Sequence, residues 1–530
     1  MTRIASNAPI VCLVFLAACA SQPPYRDLSA PAPPDQQCTA VYRAVDQITD
    51  VEKAKAAVEH DLARPGRAKC WTTTWEKHAN YDVFTVEFDD QGWLAGSGTN
   101  PKLAEGQIDR LKAHLRELVD GSPGRDKQPV SIVLYTHGWH HSAAPADENM
   151  VRFRRWLSDT VELEDALCRD KRRLTGMPDS GPGVCAETES VEMLLKRRHV
   201  VGIYVGWRGD SILGPGIDDA SIWDRKLAAE KVALGAVQQL YAELHHFWDD
   251  QRKCRRDALQ DCPDARFLTL GHSFGGLITF RALAPRLMTG IVESNHPDKK
   301  NGGIAYAYGF GDLSVLVNPA FEGTRYEPLA MAASEREYQK GPDHARSAQL
   351  PQLLVVQSKG DVATGDFFPL FRAVTTLFEH TEGAESAANL ETVGWDPRYV
   401  THTLALARTD ACGSRAPDAD LRGKLKAEAA WYDKRCAANF REFDRDELDF
   451  CDGLVVRKAS DTKSTHPLER PEFLPLWVLQ ADKNVVADHN DYLDPHLLDF
   501  VRQVYYTIQR ATDLRLLSTA KKLRGPGQCN

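Results

Sequence analysis

Short apolar runs alternate with helical patterns along most of the chain. The run from Val130 to Tyr135 is apolar almost throughout, which is typical of a strand buried on both faces. An earlier strand is predicted from Asp82 to Phe88, and further runs follow at Val200 to Val205, Phe267 to Leu270, Leu313 to Val317, Leu353 to Val356 and Leu476 to Leu479. Alternating strands and helices predict an α/β fold with a mostly parallel sheet and helices on both of its faces.

Amphipathic helical patterns lie between these runs. One extends from Leu103 to Leu118, and the longest runs from about Trp223 to Trp248. A last helix is expected to open at Asp494-Pro495, an N-cap residue followed by a proline in the first turn. In open parallel sheets ligands gather at the carboxyl ends of the strands, so the residues directly after each apolar run are the candidates for chemistry.

The pentapeptide Gly271-His272-Ser273-Phe274-Gly275 turns the chain between a predicted strand and a helical pattern that starts at Leu277. A sharp strand-to-helix turn needs glycine on both sides of the serine, because it leaves no room there for a side chain. G-x-S-x-G also arises by chance in a chain with many glycines, so an ordinary turn is the alternative. Its place between strand and helix favours Ser273 as an exposed nucleophile.

A His-Gly turn follows the first buried run. The stretch from Thr136 to His141 reads Thr-His-Gly-Trp-His-His, with three histidines in five residues. Such a cluster suggests a metal site, but no Glu or Asp follows at metalloprotease spacing. A packed polar turn is the other reading of these histidines.

Two aspartates follow the run that ends at Val356, and either one is a candidate acid. A serine nucleophile needs a histidine base, and that histidine needs a carboxylate to fix its tautomer and to stabilise its cation. Asp361 stands at a glycine turn directly after the strand, and Asp366 is the nearby competitor. Glu322, after the preceding strand, is a more distant one. Helix capping is the structural alternative for both aspartates.

His489 is the candidate base. It lies in the loop between the last predicted strand and the helix that opens at Asp494-Pro495. A histidine on that loop can reach a serine on a neighbouring strand. His496 is already inside the helix and is therefore the weaker choice.

The order Ser273, Asp361, His489 along the chain resembles that of the α/β-hydrolase family and differs from the chymotrypsin and subtilisin orders. The resemblance covers roughly Asp82 to Ile508. It implies that the His-Gly turn supplies an oxyanion-binding N–H from the backbone of Trp139, with a second from Phe274 at the foot of the helix. No cofactor or metal is expected for this chemistry.

The stretch between acid and base is longer than a minimal hydrolase needs. Residues 379–472 are polar, rich in charge and contain three cysteines. In the family that the chain resembles, such an insertion often forms a cap over the site. The alternative is a peripheral addition that packs on the sheet.

The N-terminus indicates export. An apolar run from Ala8 to Ala18 follows Arg3 and ends in Leu16-Ala17-Ala18-Cys19, which resembles a bacterial lipoprotein box. This resemblance implies removal of residues 1–18, a lipid anchor on Cys19 and a place in the cell envelope, with Ala20 and Ser21 favouring the outer membrane. An ordinary secretory signal is the alternative. Residues 19–37, rich in proline, are predicted to form a tether, followed by the hydrolase domain over 38–530.

Composition agrees with an exported globular protein. The net charge is −9, and no basic tract or zinc-finger spacing is present, so nucleic acid is not expected as a partner. Twelve cysteines include Cys12 and Cys19, and the remaining ten suggest disulfides. The spacing favours three local pairs, while four cysteines remain for the C-terminal part. The local pairs are Cys38 with Cys70, Cys168 with Cys185 and Cys254 with Cys262.

The function that follows is a lipid-anchored serine hydrolase that acts on carboxylic esters, with a lipid or another acyl ester as its substrate. The same three side chains also serve amidases and peptidases, because all of them transfer acyl groups. A hydrolase-like envelope lipoprotein without activity is the third interpretation, since a fold does not imply a function.

Overall fold

The computed structural model describes residues 23–29, 36–123, 126–177, 185, 193–209, 218–257, 262–295, 307–334, 350–375, 385–407, 410–412, 421–436, 447–459 and 475–520. The predicted signal peptide and Cys19 lie outside these ranges. Within them, one eleven-stranded sheet forms the centre of the molecule.

The strands of this sheet are β1 (Trp75–Lys77), β2 (Tyr81–Glu87), β3 (Val130–Thr136), β4 (His199–Gly206), β5 (Ala265–His272), β6 (Leu313–Val317), β7 (Leu353–Ser358), β8 (His402–Leu406), β9 (Glu447–Asp449), β10 (Leu454–Lys458) and β11 (Leu476–Ala481). Their spatial order is β1-β2-β4-β3-β5-β6-β7-β11-β8-β10-β9. The eight strands from β2 to β8 in this order are parallel, whereas β1, β10 and β9 are antiparallel to their neighbours. The parallel strands therefore end at one common edge, which we call the carboxyl edge.

The α-helices are α1 (Gln36–Asp46), α2 (Val51–Leu62), α3 (Pro65–Thr72), α4 (Pro101–Asp120), α5 (Glu148–Leu174), α6 (Asp218–Leu234), α7 (Val237–Asp257), α8 (Phe274–Asn295), α9 (Glu327–Ser334), α10 (Phe368–Thr375), α11 (Glu385–Leu390), α12 (Leu421–Cys436) and α13 (Pro495–Thr519). In the described part of the chain, none of them combines the length and the apolar character that a bilayer crossing requires.

The predicted mixed α/β class with a largely parallel sheet is confirmed. All seven predicted strands are present, with ends that differ by at most two residues. The core explains why their sequences are so apolar, because the sheet is covered on both faces. In β3, Ile132 and Leu134 belong to the apolar cluster on one face, and Val133 and Tyr135 to the cluster on the other.

The long helix predicted from Trp223 to Trp248 is in fact two helices, α6 and α7. The break falls at Gly235, where a β-carbon would overlap the backbone of Gly92. The N–H of Ala236 donates to the carbonyl of Gly92 over 2.7 Å. This close approach of a loop replaces the helical continuation, and periodicity cannot reveal it.

The expected cap over residues 379–472 is not what its described strands form. β8 pairs with β11, and β10 and β9 continue the sheet beyond β8. These strands satisfy the backbone donors and acceptors that β11 would otherwise leave unpaired at the edge. These strands of the insertion extend the sheet, whereas Trp395 of the same insertion donates to the Thr364 hydroxyl, so a cap formed by the rest of the insertion stays a prediction.

Four disulfides join described cysteines. The three local pairs are as predicted, and Cys412 pairs with Cys451 in the insertion. The side chain of Cys436 and the whole of Cys529 lie outside the described residues. The Cys38–Cys70 bridge ties α1 to α3 in a small helical layer that the sequence patterns did not predict.

Part of the predicted tether packs against the body. Arg26 is buried, and its side chain pairs with Glu76 over 2.9 Å and donates to the carbonyl of Ala143 over 2.9 Å. The backbone N–H groups of Tyr25 and Arg26 both donate to the carboxylate of Glu87, at the end of β2. Residues 23–29 are therefore docked and do not act as a free spacer.

A buried ion cluster surrounds this docking point. Glu76 also pairs with Arg154 over 2.7 Å and with His78 over 3.2 Å, while His78 contacts Asp46 over 2.8 Å. Burial alone would lower the pKa of His78, but the carboxylates of Asp46 and Glu76 raise it above its ordinary value. A raised pKa means that the charged imidazolium contributes stability below the unfolded pKa, near 6.5, and that this contribution is lost as the pH rises through the folded value.

Replacing His78 by Gln should destabilise the fold in a pH-dependent way. We expect a loss of about 3 kcal/mol below pH 6.5, the usual cost of removing one partner of a buried charge pair. The difference from wild type should shrink as the pH is raised, when measured by urea denaturation between pH 5.5 and 9. His246→Gln is the matched control, because His246 is 67% exposed. A His78 difference that stays constant over this range would contradict the assignment.

Candidate active site

Ser273 occupies the turn between β5 and α8. Its backbone has φ 54°, in the left-handed region that a non-glycine residue seldom adopts. Its N–H donates to the carbonyl of Val317 over 3.1 Å, and its own carbonyl accepts from the N–H of Ala320 and of Leu277. These bonds to the end of β6 and to the first turn of the helix hold the turn in place.

The flanking glycine is required by a close approach. A β-carbon on Gly275 would overlap the carbonyl oxygens of Thr136 and His137 at the end of β3. The first turn of α8 therefore lies against the neighbouring strand end, and the serine stands over the carboxyl edge. The sequence expectation of a strand, a tight turn and a helix is met here.

His489 lies between Ser273 and Asp361. Its Nε2 is 2.8 Å from the Ser273 hydroxyl, and its Nδ1 is 2.9 Å from Oδ2 of Asp361. If Nδ1 carries the proton and donates to Asp361, Nε2 is left to accept from the serine. The structure thus brings together the three side chains that the sequence singled out as nucleophile, base and acid.

The Asp361 carboxylate is buried and well supplied with donors. Thr364 donates to it twice, from its hydroxyl over 2.5 Å and from its backbone N–H over 3.0 Å, and the Gln357 amide adds a bond of 3.0 Å. Burial alone would raise the pKa of Asp361, but the hydrogen bonds from His489 and Thr364 hold it below its ordinary value. Asp361 is therefore kept ionised beside the histidine.

The backbone of His489 is held by two further side chains. Its carbonyl accepts from Nε2 of His272 over 2.8 Å and from the amide of Asn318 over 3.0 Å. Asn318 also donates to the carbonyl of Asp488 and accepts from the N–H of Ser358. One asparagine after β6 thus links the loop that carries His489 to the end of β7.

His272 is a neutral positioning residue. Burial, with the neighbouring His489, lowers its pKa well below the ordinary value. Its ring stacks on Tyr492 at a centroid distance of 3.9 Å. Because it donates from Nε2 to a carbonyl, the proton of this neutral ring is on Nε2.

The His-Gly turn lies directly beside Ser273. A β-carbon on Gly138 would come within 2.9 Å of the Ser273 β-carbon and 2.8 Å of the His272 ring. Among the described residues, the backbone N–H groups of Trp139 and Phe274 donate to no protein acceptor. Both groups therefore remain available at this turn, as an oxyanion hole would require.

Each of the three histidines in this turn has its own contact. His137 is buried, accepts from the N–H of Trp207 and contacts the carbonyl of Gly138, and burial lowers its pKa to about 4. His140 stacks on the Trp139 ring, and His141 contacts Asp147 over 3.2 Å. The three rings do not converge, which favours the packed polar turn.

The competing acids point elsewhere. Asp366 is exposed in the π-helical turn Ala363–Phe367. Glu322 pairs with Lys226, Arg325 and Arg372, and these cations outweigh its burial and lower its pKa to about 2. Of the three acids, Asp361 is the one that contacts His489.

One group with the composition of a metal site lies at the opposite edge of the sheet. Among the described residues, Asp82, His114 and His199 converge there. Asp82 Oδ2 accepts from Nε2 of His114 over 3.0 Å and from Nε2 of His199 over 2.7 Å, and the Trp75 indole donates to the other oxygen. Burial would raise the pKa of Asp82, but these two histidines hold it below its ordinary value. Hydrogen bonds alone account for this group.

Sequence patterns missed the residues that support the three side chains. Asn318 follows the apolar run of β6 directly, and a closer look at every strand end would have included it. Thr364 follows Asp361 by three residues, which is the spacing at which a capping aspartate accepts from a backbone N–H. His272 gave no signal, because the second position of G-x-S-x-G accepts any residue.

Replacing Gly275 by Ala should destabilise the protein by about 1–3 kcal/mol, the range for forcing extra volume into a packed site. The physical reason is the overlap with two backbone carbonyls of the β3 end, which cannot rotate away. Gly66→Ala is the matched control, because a β-carbon there meets nothing within 4 Å. Thermal or urea unfolding of both variants measures the effect. Equal stability of Gly275→Ala and wild type would contradict the close approach.

The arrangement at the carboxyl edge can move a proton from a hydroxyl to an imidazole beside a buried carboxylate. Two backbone N–H groups stand next to that hydroxyl. No protein-family model, curated protein or solved structure matches the chain, so these contacts are the observations from which its function is argued.

Proposed function

We propose that the chain is a serine hydrolase of the α/β-hydrolase fold that cleaves carboxylic esters. The observation that carries the proposal is the continuous contact from the Ser273 hydroxyl through both ring nitrogens of His489 to Asp361. The strand-to-helix turn under Ser273 and the His-Gly turn beside it support the same interpretation. No metal or organic cofactor enters the reaction.

Acylation begins with attack by the serine. His489 Nε2 takes the hydroxyl proton as Ser273 Oγ forms a bond to the ester carbonyl carbon. The negative charge that develops on the carbonyl oxygen is stabilised by the N–H groups of Trp139 and Phe274. His489 then gives its proton to the leaving alcohol oxygen, and the C–O bond breaks.

Deacylation repeats these steps with water. His489 removes a proton from the water molecule, whose oxygen attacks the acyl carbon, and the proton returns to Ser273 as the acid leaves. Asp361 holds the ring through Nδ1 and stabilises the imidazolium in both halves of the reaction. His272 and Asn318 support the ring by fixing the carbonyl of its residue.

The choice of ester follows from the proposed location. The lipoprotein box at Cys19 implies that the chain is anchored in a bacterial membrane, which brings it close to lipids and other acyl esters. We therefore propose lipase- or esterase-like activity in the cell envelope, with lipid or acyl-ester substrates.

Ser273→Ala should abolish ester hydrolysis, because it removes the nucleophile. We expect kcat to fall by about 10⁴-fold or more, since only the oxyanion donors and substrate binding would remain. p-Nitrophenyl esters of graded chain length, with the matching anilides, measure the rate and the preference for ester over amide.

A fluorophosphonate probe supplies the control for this variant. Wild type should be labelled at Ser273, and the variant should be folded and unlabelled. Faster cleavage of anilides than of esters would favour the amidase alternative. A wild-type chain that neither reacts with the probe nor cleaves either series would support the non-catalytic lipoprotein.

Asp361→Asn should lower kcat by about 10⁴-fold, because an amide no longer selects the productive tautomer of His489 or stabilises its cation. Asp366→Asn is the matched control, since Asp366 is exposed and lies five positions after Asp361, and it should leave kcat unchanged. The same ester assay reads both variants. The reverse pattern would assign the acid to Asp366.

A further inference from the structure

The exposed apolar side chains are concentrated at the carboxyl edge. Among the described residues, eleven large hydrophobic side chains are exposed, and six of them are more than half exposed, from 51% to 68%. We call these six the apolar rim: Trp93, Leu227, Leu234, Val362, Phe367 and Leu370. Large exposed apolar groups gathered on one side of a protein mark an interaction surface.

Three members of the rim follow β7 directly. Val362 comes next after Asp361, and Phe367 and Leu370 are exposed on the π-helical turn and on α10. Trp93 lies in the turn that follows β2. These four residues therefore belong to the same edge as Ser273.

Leu227 and Leu234 belong to α6, which lies along this edge. Arg225 of α6 donates to the carbonyl of Arg208 after β4 and pairs with Asp90 after β2. Lys226 pairs with Glu322 after β6. Since α6 contacts the segments after three parallel strands, its exposed leucines also stand at the carboxyl edge.

The exposed apolar side chains near the opposite edge of the sheet are less exposed than those of the rim. Val292 lies near the end of α8, a 22-residue helix that starts at the carboxyl edge, and Tyr308 precedes β6. Both are exposed, but by 43% only. These two side chains are thus less exposed than the six of the apolar rim.

The N-terminal segment docks at the same edge. Glu87, which accepts from the backbone of Tyr25 and Arg26, ends β2, and Ala143, which accepts from the Arg26 side chain, follows the His-Gly turn. In the sheet, β2 is three places from β5. At about 4.8 Å per strand, the docking point is about 14 Å from the strand that carries Ser273.

The chain between the anchor and this docking point is short. Arg26 follows Cys19 by seven positions, a distance of at most about 25 Å when the chain is fully extended. A globular chain of this length has a radius of gyration of about 24 Å and a diameter of about 60 Å. An anchor on Cys19 therefore lies within about 25 Å of the docking point, a distance that includes the carboxyl edge and is less than half the diameter of the molecule.

We propose that the apolar rim docks on the lipid surface in which Cys19 is anchored, with the carboxyl edge facing the bilayer. The short segment from Cys19 to Arg26, which we call the leash, determines which side of the protein meets the membrane. The rim supplies the apolar side chains that enter the lipid interface. This docking rests on the rim and on the proposed lipid anchor at Cys19, and it does not depend on catalysis at Ser273. Resting on the proposed function, it further implies that Ser273 draws its ester from the same leaflet.

Hydroxyl-radical footprinting of the full lipidated chain tests the docking. The protein is reconstituted through its own anchor into vesicles of phosphatidylethanolamine and phosphatidylglycerol, and compared with the anchor-free Cys19→Ser chain in buffer. We expect several-fold slower oxidation of Trp93, Phe367 and Leu370 in the vesicle sample. Val292 and Tyr308 should be oxidised equally in both.

Other outcomes would overturn the proposal. Equal oxidation of the rim in both samples would show that it does not meet the lipid. Protection of the rim in the anchor-free chain that rises with protein concentration would assign the surface to a second copy. If the N-terminal peptide of the mature protein carried no lipid on Cys19, the segment from Cys19 to Arg26 would not tie the carboxyl edge to the membrane.

A pair of variants separates this proposal from the proposed activity. Leu227→Ser combined with Leu370→Ser should slow cleavage of a long-chain fluorogenic ester in the same vesicles by several-fold. Hydrolysis of soluble p-nitrophenyl butyrate should be unchanged. Val292→Ser is the matched control and should affect neither rate.

If no ester is cleaved, the proposed function fails, while the footprinting result still decides the docking. If wild type, the double variant and Val292→Ser all cleave the vesicle ester at the same rate, the inference that Ser273 draws its ester from the leaflet is wrong.

Discussion

The left-handed turn at Ser273 is the constraint on which the rest of the site depends. A residue with a β-carbon in the left-handed region of backbone conformation costs about 1–2 kcal/mol, so neighbouring contacts must hold Ser273 in that conformation. The end of β6 supplies two of them, through Val317 and Ala320. The end of β3 leaves space for the first turn of α8 only because residue 275 is glycine. Three adjacent strand ends therefore determine where the serine hydroxyl stands.

The second requirement is that His489 is held both at its ring and at its backbone. Asp361 holds Nδ1 of His489, while His272 and Asn318 hold the carbonyl of the same residue. The two buried histidines nearby, His137 and His272, have lowered pKa values because burial disfavours their charged forms. Neither adds a positive charge beside the base, and both serve the site through neutral hydrogen bonds and stacking.

Docking of residues 23–29 connects the N-terminus to the same edge of the sheet. Arg26 and Glu76 are both fully buried, and such a pair persists only when other groups complete its hydrogen bonds. Arg154 and His78 supply further contacts to Glu76, and backbone carbonyls accept from Nε and Nη1 of Arg26, while its Nη2 is buried without a partner among the described residues. The segment that composition marks as a spacer thus becomes part of the folded body. Its position places the docked segment, seven positions after Cys19, at the carboxyl edge.

Sequence alone determined the parts of this protein that depend on local periodicity and on chain order. Buried parallel strands are apolar on both faces, so β2 to β7 and β11 could be predicted from apolar runs. The tight turn at Ser273, a pair of candidate aspartates after β7 and the loop histidine His489 followed from their positions at strand ends. Three disulfides could be predicted from the sequence because they close short loops.

Tertiary structure decided whatever depends on contacts between distant segments. The break at Gly235 comes from a loop more than a hundred residues earlier, and the insertion extends the sheet because β11 offers an open edge to β8. Asn318, Thr364 and His272 act through bonds that no spacing encodes. The choice of Asp361 over Asp366 likewise required the structure, since five residues of sequence separate two carboxylates that point in different directions.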